Sequence, residues 1–437
     1  MTRPGTQIIQ RDQVPPRSTP PTETGVWFAV GATASGPADR AVLVRSLSSY
    51  EATFGPRSGG QLLYDCVETF FREGGAKVYI AAVPTTPSAV GAQTIDTTDL
   101  DTLTRSELDA RAQAAGIEDP ASLPNKEAVA DAIRGVAADA NSAAPRAATP
   151  TQLQAALDLF TADLGPGQVS IPGESDPALY DALLDHAQVT NRVALLDIPQ
   201  GPNIPADLVA LATALHDSTW PRYGALFGPW ATIPGVAVGT SRTVPYSAIE
   251  AGIIARNDIS LNPNIPAAGY NGRSAFATDL SERFTDLDYE QMNEAGVNMA
   301  RLIYGGVETY GYRTLVDPTT DLLWRSFGNS RLNMAIVARA EVIAERYVFA
   351  QLDGRRKKTS QFGAELSAML VPYYEGGALF GATADEAFFV DVGSQVNTDE
   401  TMENGELHAV IRLRMSPFAE LVVIEIVKVA MTEALAA

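Results

Sequence analysis

The chain has 437 residues and 46.4 kDa, with 32 Lys plus Arg against 52 Asp plus Glu, a formal net charge of −20 and a pI near 4.6. Hydrophobic residues make up 46% and charged residues 19%, an ordinary globular composition that supplies apolar area for a core and excludes global disorder. So acidic a chain offers no general polycation to phosphate backbones or anionic lipid, and a primary nucleic-acid or membrane-surface role is not expected.

At roughly 150 residues per domain, the length suggests about three domains. Cys66 is the single cysteine, which excludes an intramolecular disulfide or a one-chain thiolate metal cage and fits a reducing compartment. Residues 1–6 carry no apolar h-region, and the apolar stretch Leu421 to Val429 is interrupted by Glu425 and Lys428. The expectation is a chain neither exported through a signal peptide nor inserted in a membrane.

Pro4, Pro15, Pro16, Pro20 and Pro21 keep helices and central strands out of residues 1–25, which read as an extended arm. Within it Thr6, Gln7, Ile8, Ile9, Gln10 and Arg11 have strand character, held off by a stiff proline-rich spacer. From Gly25 the pattern changes. Val26 to Val30 and Ala41 to Val44 read as strands, and Leu62, Leu63, Cys66, Val67, Phe70 and Phe71 recur at helical spacing until Gly74 and Gly75. Lys77 to Val83 is the next strand.

Between Tyr79 and Phe160 there is no aromatic residue, and 96–149 reads as an inserted module. It holds two amphipathic helices, Arg105 to Ala115 and Lys126 to Gly135, around a small core of Leu103, Leu108, Ala112, Ile117, Leu123, Val129 and Ile133. Thr104 and Glu107 form a capping box, and Asn125 caps the second helix. The arrangement resembles helix-loop-helix modules of the HeH, LEM or SAP type. Its ten acidic and five basic residues argue against DNA binding through the phosphate backbone and favour decoration or a protein contact.

After position 150 the chain alternates strand (Gln168 to Ile171), helix (Pro177 to Gln188, capped by Asp176), strand (Arg192 to Ile198), helix (Pro205 to Leu215) and strand (Tyr223 to Trp230). Such alternation predicts an α/β fold with a mainly parallel sheet covered by helices on both faces. The last third begins near Gly311. Leu332, Ile336, Ala340, Ile343 and Tyr347 share one helical face, and Asp353-Gly354 ends that helix. Ile411, Leu413 and Met415 alternate with Arg412 and Arg414 as a half-buried strand, and Leu421 to Val429 is a second, nearly all-apolar strand. The expected divisions are 1–25 as N-terminal arm, 26–95 with 150–311 as an α/β domain, 96–149 as the insert, 312–418 as an α+β C-terminal domain and 419–437 as a C-terminal strand arm.

No catalytic, cofactor or metal constellation emerges. The glycine loop Gly55 to Gly60 lacks a phosphate-reaching lysine, and there is no G-x-S-x-G, no H-E-x-x-H and no histidine pair at ligand spacing. His186, His216 and His408 have no evident partner. Asp96, Asp99 and Asp101 lack the glycine turn and bidentate glutamate of a calcium loop. Cys66 falls on an apolar helix face as a small inert hydrophobe. Arg355, Arg356, Lys357 and Lys358 form the densest positive cluster. It reads either as a solvated run at a helix C-terminus, where cations are favoured, or as a contact for an acidic protein surface. The segment around Leu421, Val422, Val423, Ile424, Glu425, Ile426 and Val427 must be paired, within its own sheet or by adding to a neighbour's sheet, because a free apolar edge aggregates.

Several stretches resemble contractile-tail sheath proteins of bacteriophages and related injection systems. They are Pro4-Gly5-Thr6-Gln7-Ile8-Ile9-Gln10, Thr24 to Gly31, Gly36-Pro37, Val42-Leu43-Val44, Ser46-Leu47, Phe54-Gly55, Tyr223 to Trp230, Val244-Pro245-Tyr246-Ser247, Ala251 to Asp258, Asn293 to Asn298 and Gly311 to Leu315. They run collinearly over nearly the whole chain except the insert. The resemblance implies a non-enzymatic subunit without cofactor, assembling in stacked hexameric rings around a tail tube in a virion tail and driving the tube by contraction. It also implies partners in the tail tube protein, baseplate and tail terminator, with no direct nucleic-acid binding. In that family neighbouring subunits exchange terminal arms. Thr6 to Arg11 and Leu421 to Val429 would then be the arms, Ile411, Leu413 and Met415 part of the acceptor sheet, and Arg355 to Lys358 a tube contact. The alternatives are an α/β enzyme and a nucleic-acid-binding structural protein acting through the insert.

Overall fold

A strand that is apolar on both sides has to be covered on both sides, and the core of this chain follows from that requirement. The computed structural model describes residues 23–57, 62–84, 100, 102–114, 124–131, 133, 148–236 and 239–420. The chain divides into two compact units, Met1–Arg346 and Tyr347–Ala437.

In the first unit the strands are β1 (Trp27–Thr33), β2 (Val42–Val44), β3 (Val78–Pro84), β4 (Gln168–Ser170), β5 (Val193–Asp197), β6 (Gly224–Gly228), β7 (Ala231–Pro234), β8 (Ser241–Val244), β9 (Asp279–Leu280), β10 (Val297–Ile303) and β11 (Gly306–Thr309). Eight of them form one sheet in the order β11-β10-β6-β5-β4-β1-β3-β2. The six strands from β10 to β3 run parallel, and β11 and β2 close the two edges in antiparallel register.

Alternate residues of the central strands feed two separate cores. Trp27, Ala29, Leu195, Ala225 and Phe227 face helices Leu62–Arg72 and Tyr246–Asn257. Phe28, Val30, Ala194, Leu196 and Leu226 face helices Pro150–Leu157, Pro177–Val189 and Pro205–His216. The expected α/β class and two-sided covering are what the structure contains.

Local signals behave as their chemistry requires. Asp176 Oδ1 accepts the Ala178 N–H at 2.9 Å ahead of Pro177 in the first turn. Gly74 ends its helix at φ 104°, a conformation open to glycine. The predicted strand Tyr223 to Trp230 is shorter. The chain leaves the main sheet after Gly228, because Pro229 has no N–H for a central ladder, and enters a second antiparallel sheet ordered β8-β7-β9. In the insert, helix Arg105–Ala114 and helical residues 126–131 enclose Leu100, Leu103, Leu108, Ala112, Val129, Ala130 and Ile133. The Thr104–Glu107 capping box and the Asn125 cap are both formed; Ile117 and Leu123 lie outside the described residues.

Helix Phe327–Glu345 belongs to the first unit. Its Arg331, 1% exposed, makes a bidentate ion pair with Asp258, both contacts at 2.7 Å, and Asp258 also accepts from Thr24 Oγ1 at 2.6 Å. Truncating one partner strands a buried charge, which costs about 3–5 kcal/mol. Arg331→Met is therefore expected to lower the urea midpoint of tryptophan fluorescence strongly. The double change Arg331→Met with Asp258→Asn should lose less, because no charge is left unpaired.

Candidate assembly surfaces

The buried polar groups of the first unit come closest to a catalytic arrangement, and Asp197 and Arg192 are engaged in holding backbone. Asp197, 2% exposed, lies at the end of β5 and accepts from Ser247 N at 2.7 Å, Ser247 Oγ at 2.6 Å and Gly173 N at 3.0 Å. It ties the first turn of helix Tyr246–Asn257 to the sheet. Burial pushes its carboxyl up to about 6 against the pull of these donors. Arg192 donates to the carbonyls of Phe160, Thr161 and Gly165 at 2.7, 2.8 and 3.0 Å, and its guanidinium lies 3.7 Å from the Phe28 ring centre. His186 stands beside that guanidinium, and burial, aided by Arg192, holds its pKa down to about 3, too low for a proton carrier near neutrality.

The other histidines are also placed apart from any nucleophile. His216 Nε2 is 3.1 Å from the Ala295 carbonyl, and exposed His408 faces Glu406 at 2.8 Å. Cys66 is fully buried, and burial pushes its thiol up, away from reactivity. Glu250 is fully buried, with one oxygen accepting from Thr309 Oγ1 at 2.7 Å and its carboxyl raised by burial to about 8. Among the described residues no group of three His, Cys, Asp or Glu could hold a metal ion.

The second unit is built differently. Helix Lys357–Glu375 buries Thr359, Phe362, Gly363, Leu366, Leu370 and Tyr373 as one stripe at helical spacing. Strands β12 (Phe388–Asp391) and β13 (Val410–Leu413) pair antiparallel as a two-stranded sheet. Two strands are marginal alone in water, and each of these has one edge without a strand partner among the described residues. Phe388, Val390, Ile411 and Leu413 share the half-buried face. Phe389, 55% exposed, lies on the other with Arg412 over its ring at 5.9 Å. Past β13 Met415 forms an isolated bridge to Leu379, so of the three predicted acceptor residues Ile411 and Leu413 lie in the β12–β13 sheet and Met415 just beyond it.

Arg355, Arg356, Lys357 and Lys358 are not at a helix C-terminus. They precede and open helix Lys357–Glu375, with Arg356 at φ 56° in the cap position, and the first turn holds no acidic side chain. The reading of the run as a favourable C-terminal charge cluster is therefore corrected, since cations at an N-terminus oppose the helix dipole. Asp353 Oδ1 accepts the Lys357 N–H at 2.9 Å, and Arg356 lies 3.8 Å from Asp399, while Arg355, Lys357 and Lys358 are exposed. The predicted arm residues Thr6 to Gln10 and Leu421 to Val427 lie outside the described residues. Sequence reasoning missed helix Lys357–Glu375 and β12; the Phe388-Phe389-Val390 run was the available signal for the strand.

No family model matches the chain, and no curated protein does. Solved structures do. The chain aligns over 98% of its length with 99% of a chain in the helical sheath of the anti-feeding prophage in its contracted state, at 18% identity and a TM-score of 0.61. It aligns over 98% of both chains with the PVC sheath complex of an extracellular contractile injection system in the contracted state, at 17% identity and a TM-score of 0.64. A sheath tail protein from Desulfitobacterium hafniense matches 89% of this chain and 93% of its own, at 11% identity and a TM-score of 0.53. The likeness is one of fold, and it agrees with the sheath resemblance read from the sequence.

Two outcomes follow from the electrostatics. With a folded pKa raised from 4.5 to about 8, Glu250 contributes most stability below the unfolded carboxyl's range and has lost it once pH rises past about 8. Glu250→Gln should flatten that decline, so its melting temperature gains on the parent chain between pH 5 and 9. Replacing Lys357 and Lys358 with Glu should raise hydrogen-exchange protection in helix Lys357–Glu375, by about 0.3–1 kcal/mol per charge reversed.

Proposed function

We propose that this chain is the structural sheath subunit of a contractile tail or injection apparatus, with no enzymatic role. The observation that carries the reading is the fold likeness to sheath chains over 98% of this chain and 98–99% of theirs. The open sheet of β12 and β13 supports it. Its edges, without strand partners among the described residues, call for additional strands, and the chain supplies two of strand-forming composition, Thr6 to Arg11 and Leu421 to Val429. Subunits donate these to neighbours in stacked hexameric rings, and the acceptors are the edges formed around Ile411, Leu413 and Met415.

The exposed cations Arg355, Lys357 and Lys358, with Arg356, face an acidic surface of the tail tube protein. Their position at a helix N-terminus supports this, because it is a cost to the helix that a partner's charge offsets. Baseplate and tail terminator bound the stack, which is assembled in the host cytoplasm. Among the described residues no helix is long and apolar enough to cross a membrane. The sheath acts by passing between two subunit arrangements of unequal free energy, summed over many copies, without bound fuel. The insert 96–149 projects from this frame as decoration.

Negative-stain microscopy of the purified chain tests the reading. Hollow striated tubes with sixfold end views are expected, alone or on co-expression with a tube protein, and deletion of residues 1–20 or 419–437 should abolish them. Tubes that persist unchanged in both deletions would sink the arm exchange.

A further inference from the structure

Two Asn-Gly pairs stand in the chain, Asn271-Gly272 and Asn404-Gly405. An asparagine followed by glycine is open to attack by the next backbone nitrogen on its own side-chain carbonyl, because glycine puts no Cβ in the way of the five-membered ring. By sequence the two pairs are alike; the fold separates them.

Asn271 lies in the 3-10 turn Gly269–Gly272, and its carbonyl accepts from Asn257 Nδ2 at 2.9 Å. Gly272 is buried, so closely packed that a Cβ there would meet the Ala267 carbonyl oxygen at 2.7 Å and Thr309 Cβ at 3.1 Å. Turning this peptide toward the side chain has to displace packed backbone.

Asn404 stands in the second unit, at the C-terminus of helix Asp399–Glu403, which has five residues and none of them buried. Asn404 and Gly405 are both exposed. Gly405 is at φ 77°, with nothing within 4 Å of the place a Cβ would take. Asn404 rests at ψ −3°, its N–H donating to the Glu400 carbonyl at 3.0 Å and that of Gly405 to the Met402 carbonyl at 3.1 Å. Attack requires Asn404 to leave that ψ and Gly405 to release Met402. A single exposed helical turn opens readily, because local opening is cheapest where nothing is buried.

We propose that Asn404 is a deamidation and isoaspartate site of this chain. The Gly405 nitrogen bonds to Asn404 Cγ, the bond from Cγ to the side-chain amide nitrogen breaks, and ammonia leaves with the proton given up by Gly405. Water then opens the cyclic imide at either carbonyl. One opening yields aspartate. The other yields isoaspartate, whose backbone runs through the side-chain carbon and leaves the α-carboxylate free. Water is the only co-reactant. Both products add a negative charge beside Glu403 and Glu406, and isoaspartate lengthens the link between helix Asp399–Glu403 and β13. The change stops short of the sheet. Buried Asn397 donates through Nδ2 to the carbonyls of Val392 and His408 at 3.0 and 2.8 Å and accepts the His408 N–H at 2.7 Å, a clamp ahead of β13 that does not involve Asn404.

The test ages the full-length chain in mildly alkaline buffer, folded and in urea, and then digests it with trypsin and Asp-N protease. Peptides 399–412 and 258–273 report the two sites through the gain in mass as a hydroxyl replaces the amide NH2. Asp-N cuts before aspartate and not before isoaspartate, which separates the products. In urea the two sites should react at similar rates. In the folded chain Asn404 should keep most of its urea rate, while Asn271 falls roughly tenfold or more below its own. Asn404 left intact in the folded chain, or protected as strongly as Asn271, overturns the proposal. Asn404→Gln keeps an amide on a longer side chain that closes the ring poorly, and it should remove isoaspartate from peptide 399–412. Isoaspartate that persists there overturns the assignment. Hydrogen exchange on β13 should be the same in aged and fresh protein, and a loss of protection there overturns the confinement to the loop.

Discussion

The buried pair of Arg331 and Asp258 fixes both ends of the first unit. Asp258 closes helix Tyr246–Asn257, accepts from Thr24 just before β1, and holds Arg331 in the helix that ends one residue before Arg346. The N-terminal segment and the link to the second unit therefore leave a body whose attachment points share one carboxylate. The ion pair, 1% and 7% exposed at its side chains, resists displacement, because moving either partner leaves an uncompensated charge in the interior.

Other buried polar groups are likewise engaged in holding backbone. Asp197 spends its oxygens on Ser247 and Gly173, Arg192 spends its nitrogens on three carbonyls, and Glu73 accepts from Ala275 N at 2.7 Å and Phe276 N at 3.0 Å. These groups brace irregular connections against a sheet, and once engaged they have nothing left to offer a substrate.

Much of the fold was legible because the central strands obey two rules at once. Trp27 to Val30 and Val193 to Leu196 are apolar at every position, which only a sheet covered on both faces explains, and Asp176, Thr104 and Asn125 sit where helix N-termini need acceptors. The break after Gly228 was hidden because the apolar run continues from one sheet into another, and periodicity does not register a change of sheet. Helix Lys357–Glu375 was hidden for the opposite reason. It opens on Lys357 and Lys358 with no acidic first turn, includes Gly363 and carries Pro372 in its final turn, each a signal that argues against a helix there. Tertiary burial of Phe362, Leu366 and Leu370 overrides them. Of the candidate site, Ile411, Leu413 and Met415 were readable by their alternation with arginine, while β12, their partner, was not, because its pairing is non-local.

In the second unit, β12 and β13 form a sheet whose outer edges have no strand partner among the described residues. Arg412 and Arg414 interrupt the apolar alternation on and beyond β13, and Arg412 lies across Phe389, so the exposed face carries charge where a continuous apolar strand would invite indiscriminate pairing. Glu425 and Lys428 interrupt the apolar C-terminal segment in the same way. Arg412 also lies 3.7 Å from Asp391 on β12, so under the proposed exchange an added strand would have to keep this pair together to avoid burying an unpaired charge. Under that proposal, specific assembly and resistance to aggregation would be one property of the same few side chains.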